Sequence, residues 1–323
     1  RPRRASVRHG VVTPWRAGQS EPAFPGSGFS PPIHVPAMSL LHTLQTQLPG
    51  IVIDVLRLSL WLALLAVLFV PLERLFGERH AGRSRMELFS DLGFYFISSL
   101  LPAALLAVPL ALVAVAGQRF LPDAVPAAMA SLPLWAKLLL GLLIGEVGTY
   151  WGHRLSHEIP WLWRYHAVHH STEHLYFLAN TRTHPVDMVV TRLFGLTPLY
   201  LLGLAGPGAA GSAAPVLLLL IGTVWGFFIH ANLRWRFGPL EWLVATPAFH
   251  HWHHSKFEPI NRNYASTLPV LDRLFGTHHL PADWPASCGI EAPMPVSLPG
   301  QLLAPWRRAP ATVPQATRPM SAD

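Results

Sequence analysis

The sequence predicts an all-α protein, an integral membrane helical bundle with four or five spans. Three observations lead to this prediction. Of the 323 residues, 51% are apolar and 13% are charged, and that charged share is about half of what a soluble protein usually carries. The apolar residues form runs long enough for helices to cross a bilayer. Of the 18 histidines, 14 lie between His153 and His279, beside the ends of these runs.

The two ends of the chain differ from its middle in composition. Residues 1–37 are rich in Arg, Pro, Gly and Ser without periodicity, which predicts a disordered segment. Met38 directly precedes the first amphipathic turn, so we expect translation to start there and residues 1–37 not to be native. Residues 38–280 are predicted to form one membrane-embedded domain. Residues 281–323, rich in Pro and Ala, are predicted to be a loose tail.

Four apolar segments provide the predicted spans, because a transmembrane helix needs about 20 largely apolar residues. They are residues 52–72, 92–117, 132–151 and 193–233. The second contains Pro102 and Pro109, which membrane helices tolerate. The last is long enough for two spans separated by the glycine-rich residues 203–208, or for a re-entrant hairpin.

The basic residues predict the orientation and exclude some partners. With five spans, the arginine-rich segments all fall on one side, which the positive-inside rule makes cytoplasmic. The clustered histidines lie on that same side and would form a cytosolic helical cap. The net charge of +7 comes from arginines at the ends of apolar runs, which suits anionic lipid headgroups. We therefore expect a membrane partner and no nucleic acid.

Three histidine clusters have the spacing of metal ligands. They are His153-x-x-x-His157, His166-x-x-His169-His170 and His250-x-x-His253-His254. On a helix, residues separated by three or four positions share a face, so these imidazoles can converge on one ion. Burying so many imidazoles beside lipid is costly unless they are paired or bind metal. The clusters therefore predict a metal site, and their number indicates a site for two metals.

The identity of the metal is narrowed by the ligand set. A tetrahedral zinc takes at most four ligands, and the chain has no H-E-x-x-H motif. An all-histidine site for two metals with open positions fits O2 activation by iron, but spacing alone leaves the metal open. Two alternatives therefore stay open at this point. One is a zinc-dependent membrane hydrolase, and the other is a non-enzymatic membrane metal-binding or transport protein.

Further segments accompany the histidine clusters and point to a known family. They are Thr181-Arg182-Thr183-His184-Pro185, Gly238-Pro239-Leu240-Glu241-Trp242 and Asp272-Arg273-Leu274-Phe275-Gly276-Thr277. With the clusters, they resemble the membrane fatty acid hydroxylase / sterol desaturase superfamily over residues 85–280. The bacterial and alkylglycerol monooxygenase-like members are the most similar.

The resemblance implies two non-haem irons and O2 as co-substrate. It implies hydroxylation or desaturation of an unactivated C–H bond in a membrane lipid, such as a fatty acyl, sterol or ether lipid. The resemblance to bacterial members also implies an inner-membrane location. The chain has no nucleotide-binding motif, and its single cysteine cannot hold an iron–sulfur cluster. A separate electron-donor protein is therefore expected.

The resemblance also implies the roles of individual residues. The implied metal ligands are His153, His157, His166, His169, His170, His230, His250, His253 and His254. His184, His251 and Asp187 are expected to support these ligands from outside the metal shell, Asp187 as a candidate acceptor for a ring N–H. Glu146 lies two helical turns before His153 on the same face, so we expect it to support the site. The alternative for Glu146 is an ion pair with Lys137 or Arg192.

Overall fold

The computed structural model describes residues 48–78, 83–257 and 259–307. The segment 1–37 lies outside the described residues. Within them the regular elements are helices, joined by short 3₁₀ turns and one isolated β-bridge between Ser255 and Cys288. The α-helices are α1 (Gly50–Phe76), α2 (Arg85–Phe120), α3 (Ala124–Ser131), α4 (Leu134–Glu158), α5 (Pro160–His170), α6 (Pro185–Leu201), α7 (Ala214–His230), α8 (Pro247–His253), α9 (Val270–Leu274) and α10 (Leu298–Leu303).

Two helices, α1 and α2, are long and apolar enough to cross a membrane. In their most apolar windows only 6% and 22% of the residues are buried, so most of these side chains lie outside the protein core. Helix α2 begins with a capping box in which Ser84 and Glu87 bond each other's backbone N–H groups. Pro102 and Pro109 lie inside this helix. The first two predicted spans therefore coincide with helices of the expected length and character.

Helix α4 begins at Leu134, two residues after the start of the third predicted span, and continues past its end. It runs on to Glu158 and thereby carries His153 and His157. The helix stops because the residue before a proline disfavours the α conformation, and Pro160 then opens α5 at its first position. A single residue, Ile159, thus separates two helices that both bear histidines.

The last apolar segment is divided where the sequence predicted. Helices α6 and α7 each have 17 residues and are separated by turns that include Gly203 and Gly206, both with positive φ. Glycine adopts this conformation without steric cost. Because both helices are shorter than the roughly 20 residues of a full span, their length fits the hairpin alternative as well as a pair of spans.

Helices α4 and α6 pack with their backbones in close contact. A Cβ atom added to Gly148 would lie 2.2 Å from the carbonyl oxygen of Phe194. A Cβ atom added to Gly195 on α6 would lie 2.6 Å from the hydroxyl oxygen of Thr149 on α4. This contact fixes the histidine-bearing end of α4 against the first turn of α6, where Asp187 lies.

Residues 281–307, part of the segment predicted as a loose tail, make several contacts with the rest of the chain. The Arg236 guanidinium donates to the carbonyl oxygens of residues 281, 282 and 283. Ser90 on α2 donates to the carbonyl oxygen of Val296 at 2.7 Å, and Leu298 on α10 packs against Gly93. The segment is therefore held on the surface of α2. Residues 308–323 lie outside the described residues.

Candidate metal centre

The nine histidines that were predicted as ligands form two adjacent, buried groups. The first, the five-histidine group, consists of His153, His157, His166, His170 and His253. The second, the four-histidine group, consists of His169, His230, His250 and His254. Within each group, one ring nitrogen per residue lies within 4.8 Å of the others. The groups adjoin each other, because the rings of His170 and His254 stack at 4.3 Å.

Each H-x-x-H-H cluster contributes to both groups. In α5 the first and last histidines face the five-histidine group, and His169 faces the four-histidine group. In the cluster that begins on α8, His253 joins the five-histidine group, whereas His250 and His254 join the four-histidine group. Residues four positions apart share a helix face more closely than residues three apart. The spacing therefore distributes ligands from one helix to two centres.

His230 completes the four-histidine group from the end of α7. Its Nε2 atom lies 2.9 Å from Nε2 of His250 and 3.3 Å from Nε2 of His169. Helix α8 is positioned for this contact by its first turn, where the Thr246 side chain accepts from Phe249 N and Pro247 opens the helix.

Oxygen acceptors outside the five-histidine group hold four of its rings. The contacts are His153 Nδ1 to Tyr264 O at 2.7 Å, His157 Nδ1 to Asn261 Oδ1 at 3.2 Å, His166 Nδ1 to Asp187 Oδ2 at 2.9 Å and His253 Nδ1 to Arg262 O at 2.8 Å. An oxygen acceptor at Nδ1 places the proton there and directs the Nε2 lone pair to the other side of the ring. This is how proteins orient imidazoles that bind metals.

Two rings of the four-histidine group have the same arrangement. Nδ1 of His169 donates to the carbonyl oxygen of Arg182 at 3.2 Å, and Nδ1 of His230 donates to that of Gly226 at 2.8 Å. Their Nε2 atoms face each other across the group. In both groups, therefore, the donor atoms at the centre are Nε2 lone pairs.

The central nitrogens fit a metal cation better than they fit one another. Nε2 of His157 and Nε2 of His253 are buried and have no hydrogen-bond partner, which is costly for a polar atom. Burial lowers the pKa of seven rings well below the ordinary value of 6.5, so they are neutral and able to act as ligands. The two groups could each hold a metal ion, and imidazole suits iron, zinc, copper and nickel.

Three residues were expected to support the ligands, and the structure gives each a different position. The Asp187 carboxylate contacts His166 directly, and burial raises its pKa to about 7. His251 faces away from both groups and contacts the carbonyl oxygen of Ala231 at 3.1 Å, next to His230. His184 caps α6 by accepting from Val186 N, and its Nε2 donates to Leu302 O at 3.2 Å. His184 thus holds the 281–307 segment rather than a ligand.

Glu146, which was expected to support the site, contacts a loop behind the five-histidine group. Its carboxylate accepts from the backbone N–H groups of Thr267 and Leu268 at 2.5 and 3.2 Å. It thereby holds the turn that follows Tyr264, whose carbonyl oxygen accepts from His153. Lys137, one of the two alternative partners, instead donates to the carbonyl oxygen of Ala130.

Several supporting residues were missed by sequence reasoning. Asn261 and Asn263 both have φ of 58°, a conformation that Asn adopts more readily than most residues. Asp272 accepts from the backbone N–H groups of Tyr264 and Ala265 at 2.7 and 2.9 Å. The Asn-rich stretch before Tyr264 was a usable signal, whereas a backbone carbonyl acceptor leaves no mark in the sequence.

Fold and site together define the class of protein: a helical protein with two apolar helices of membrane-spanning length and two histidine groups suited to metal ions. Comparison with protein families identifies one family whose model matches part of the chain. The fatty acid hydroxylase family model matches residues 138–277, a segment that includes all nine histidines. Residues 138–277 therefore match the fatty acid hydroxylase family, and the resemblance to the superfamily is confirmed.

Several similar proteins are named as monooxygenases or hydroxylases. The chain is 40% identical over 153 residues to the ornithine lipid hydroxylase OlsE of Rhizobium tropici, which covers 46% of this chain and 44% of that protein. It is 33% identical over 145 residues to the alkylglycerol monooxygenase of Xenopus tropicalis, covering 44% and 30%. It is 28% identical to methylsterol monooxygenase 2-2 of Arabidopsis thaliana, covering 45% and 55%. The aligned segment thus spans less than two thirds of each relative. No solved structure matches the chain significantly.

Proposed function

We propose that the protein is an O2-dependent di-iron oxygenase that hydroxylates an unactivated C–H bond of a membrane lipid. The observation that carries this proposal is the division of nine histidines into two adjoining groups. Two iron ions bound by these groups would supply the oxygen chemistry. The nine metal ligands that the family resemblance implies are part of the same proposal.

The composition of the groups favours this function over a zinc hydrolase. The five-histidine group has more ligands than a tetrahedral zinc accepts. A zinc hydrolase also needs a general base beside the bound water, whereas both groups consist of histidine alone. Asp187, the carboxylate beside them, already accepts from His166.

The protein's own part is to hold the ligands and to exclude water. The buried ring of Trp163 packs 5.2 Å from His157 and 5.6 Å from His170, measured between ring centroids. Tyr264 packs 5.1 Å from His157 on the other side. A wall of rings around the centre limits access of water, which protects a reaction that needs a strong oxidant.

The relatives suggest the first lipid to test. The most similar of those described above is an ornithine lipid hydroxylase, and others act as alkylglycerol or methylsterol monooxygenases. We therefore propose a membrane lipid with an acyl or alkyl chain, and ornithine lipid as the first candidate. Helices α1 and α2 supply the apolar surface on which such a substrate and this enzyme would share a bilayer.

The electrons come, in this proposal, from a separate donor protein on the cytoplasmic side of a bacterial inner membrane. Four basic residues that follow the last predicted span could by their charge receive an acidic donor. In the structure Arg234 pairs with Glu78, Lys256 with Glu173, Arg236 with backbone carbonyls and Arg262 with Gly276 O. These internal contacts make the four cations poor candidates for a docking surface.

Isotope labelling tests the proposal. Membranes that contain the protein, a reductant and ornithine lipid are incubated under ¹⁸O2, and the lipids are analysed by mass spectrometry. We expect a hydroxylated lipid that carries one ¹⁸O atom, and none with the His169→Ala variant. Gly222→Ala is the matched control, because a Cβ atom there meets nothing within 4 Å. A product whose oxygen comes from water would contradict the proposal.

A further inference from the structure

The two histidine groups are supported by different parts of the molecule. Side chains of α1 and α2, the two helices long enough to cross a membrane, hold the acceptor of His169 and the segment that follows His230. The acceptors of His153 and His166 are held by side chains of α4 and α9 or lie on α6. This division extends beyond the ligands and their direct partners, and it rests on three carboxylates.

The first carboxylate belongs to Asp91 on α2 and is fully buried. It accepts two bonds from the Arg182 guanidinium, at 2.6 and 2.9 Å, and one from the Tyr176 hydroxyl at 2.6 Å. The carbonyl oxygen of Arg182 is the acceptor for Nδ1 of His169. A bidentate arginine–carboxylate pair fixes orientation as well as position. Asp91 therefore holds the backbone that orients His169.

The second carboxylate belongs to Glu73 near the end of α1. Its Oε1 atom accepts from the backbone N–H of Phe177 at 2.7 Å and from that of Asn232 at 3.0 Å. Phe177 opens the 3₁₀ turn that leads to Arg182, and Asn232 follows His230 by two residues. One oxygen thus ties together the segments behind two ligands of the four-histidine group.

The third carboxylate, that of Asp272 on α9, has the corresponding place behind the five-histidine group. It accepts from the backbone N–H groups of Tyr264 and Ala265, and Tyr264 O orients His153. Glu146 holds the next turn of the same segment.

We infer that Glu73 and Asp91 are positioning residues for the four-histidine group alone, and that Asp272 is the positioning residue for the five-histidine group. Hydrogen bonds of the Glu73 and Asp91 carboxylates then couple the apolar helices α1 and α2 to the four-histidine group. The inference rests on the proposed two-metal site. Loss of an outer partner of a metal ligand typically lowers metal affinity 10- to 100-fold, so the coupling is measurable.

Anaerobic titration of the metal-free full chain in detergent with Co²⁺ tests the inference, with visible absorption as the readout. Glu73→Ala should lower the affinity of one class of site by roughly 10- to 100-fold and leave the other unchanged. Glu73→Gln, which keeps an oxygen acceptor, should restore it. Asp272→Ala is the matched variant and should weaken the other class.

Double variants show which group is affected. Glu73→Ala should weaken Co²⁺ binding further in a His157→Ala background, where the four-histidine group is intact. It should have no further effect in a His250→Ala background. Equal weakening in both backgrounds, as a general loss of stability would give, overturns the inference, and so does no weakening in either. Wild-type protein that binds Co²⁺ at neither group overturns the proposed function and the inference with it.

A milder variant covers the case in which Glu73→Ala does not fold. Tyr176→Phe removes only the hydroxyl group that donates a hydrogen bond to Asp91. It should weaken Co²⁺ binding by the four-histidine group by a smaller factor, again only in the His157→Ala background. Unchanged binding by Tyr176→Phe in that background would count against the role of Asp91.

Discussion

At the scale of single residues, the candidate centre depends on which ring nitrogen carries the proton. Six of the nine rings have an oxygen acceptor at Nδ1. These acceptors fix the tautomer and the ring orientation, so the ligand nitrogens face each other independently of the metal. Asp187 is the carboxylate among these acceptors, and it therefore offers the clearest single test.

We expect Asp187→Ala to lower the metal affinity of the five-histidine group about 10- to 100-fold. The reason is that Nδ1 of His166 loses its acceptor at 2.9 Å. Asp187→Asn, which keeps an oxygen at this position, should lose much less metal affinity. Metal titration of both variants measures the difference, and equal affinities for Asp187→Ala and the wild type would contradict the assignment.

His250 and His251 give a second test, because they are neighbours with opposite orientations. His250 belongs to the four-histidine group, whereas His251 contacts Ala231 O. We expect His250→Ala to abolish metal binding by that group and His251→Ala to retain the metal. Metal analysis of the two purified variants measures this difference. Loss of metal from both variants would show that His251 is a ligand or that the segment has collapsed.

The sequence identified the nine histidines by their spacing and by family resemblance, and the structure brings all nine together. It could not separate them into two groups, because that requires the angle between α5 and α8. It also could not identify the carbonyl oxygens of Arg182 or Tyr264 as acceptors, since every residue has a carbonyl. Glu146 was expected near the site, and its contact with Thr267 and Leu268 depends on a loop that periodicity does not describe.

At the scale of elements, the position of the first histidine pair depends on the close packing of α4 on α6. We expect Gly148→Ala to destabilise the protein by about 1–3 kcal/mol, because the new methyl group meets the Phe194 carbonyl oxygen and not a movable side chain. Gly222→Ala on α7, with open space around it, should be neutral or slightly stabilising. Thermal unfolding in detergent compares the two, and equal melting temperatures would contradict this packing.

The presence of the helices was largely predictable from the sequence, whereas the residues at which they begin and end were less predictable. Apolar runs predicted α1, α2 and α4, and the glycine-rich break separated α6 from α7. The segment 281–307 was expected to be loose because its composition is rich in Pro and Ala. It packs on α2 through isolated contacts such as Ser90 to Val296 O, and such contacts have no periodic signal.

At the scale of the whole molecule, the candidate metal centre is joined by hydrogen bonds to two apolar helices of membrane-spanning length. Most side chains in the apolar windows of α1 and α2 lie outside the protein core. The carboxylates of Glu73 and Asp91 connect these helices to the four-histidine group. The arrangement is suited to chemistry on a lipid that stays in its bilayer.

The proposed function requires that the nine histidines bind two metal ions and that both are iron. The most direct measurement is metal analysis of the full chain, purified in detergent under reducing, anaerobic conditions. We predict about two irons per chain, with metal lost from the four-histidine group in His169→Ala. Two zinc ions would call for reconstitution with iron, because expression can load the wrong metal. A single zinc ion per chain, or well-folded protein without metal, would contradict the account.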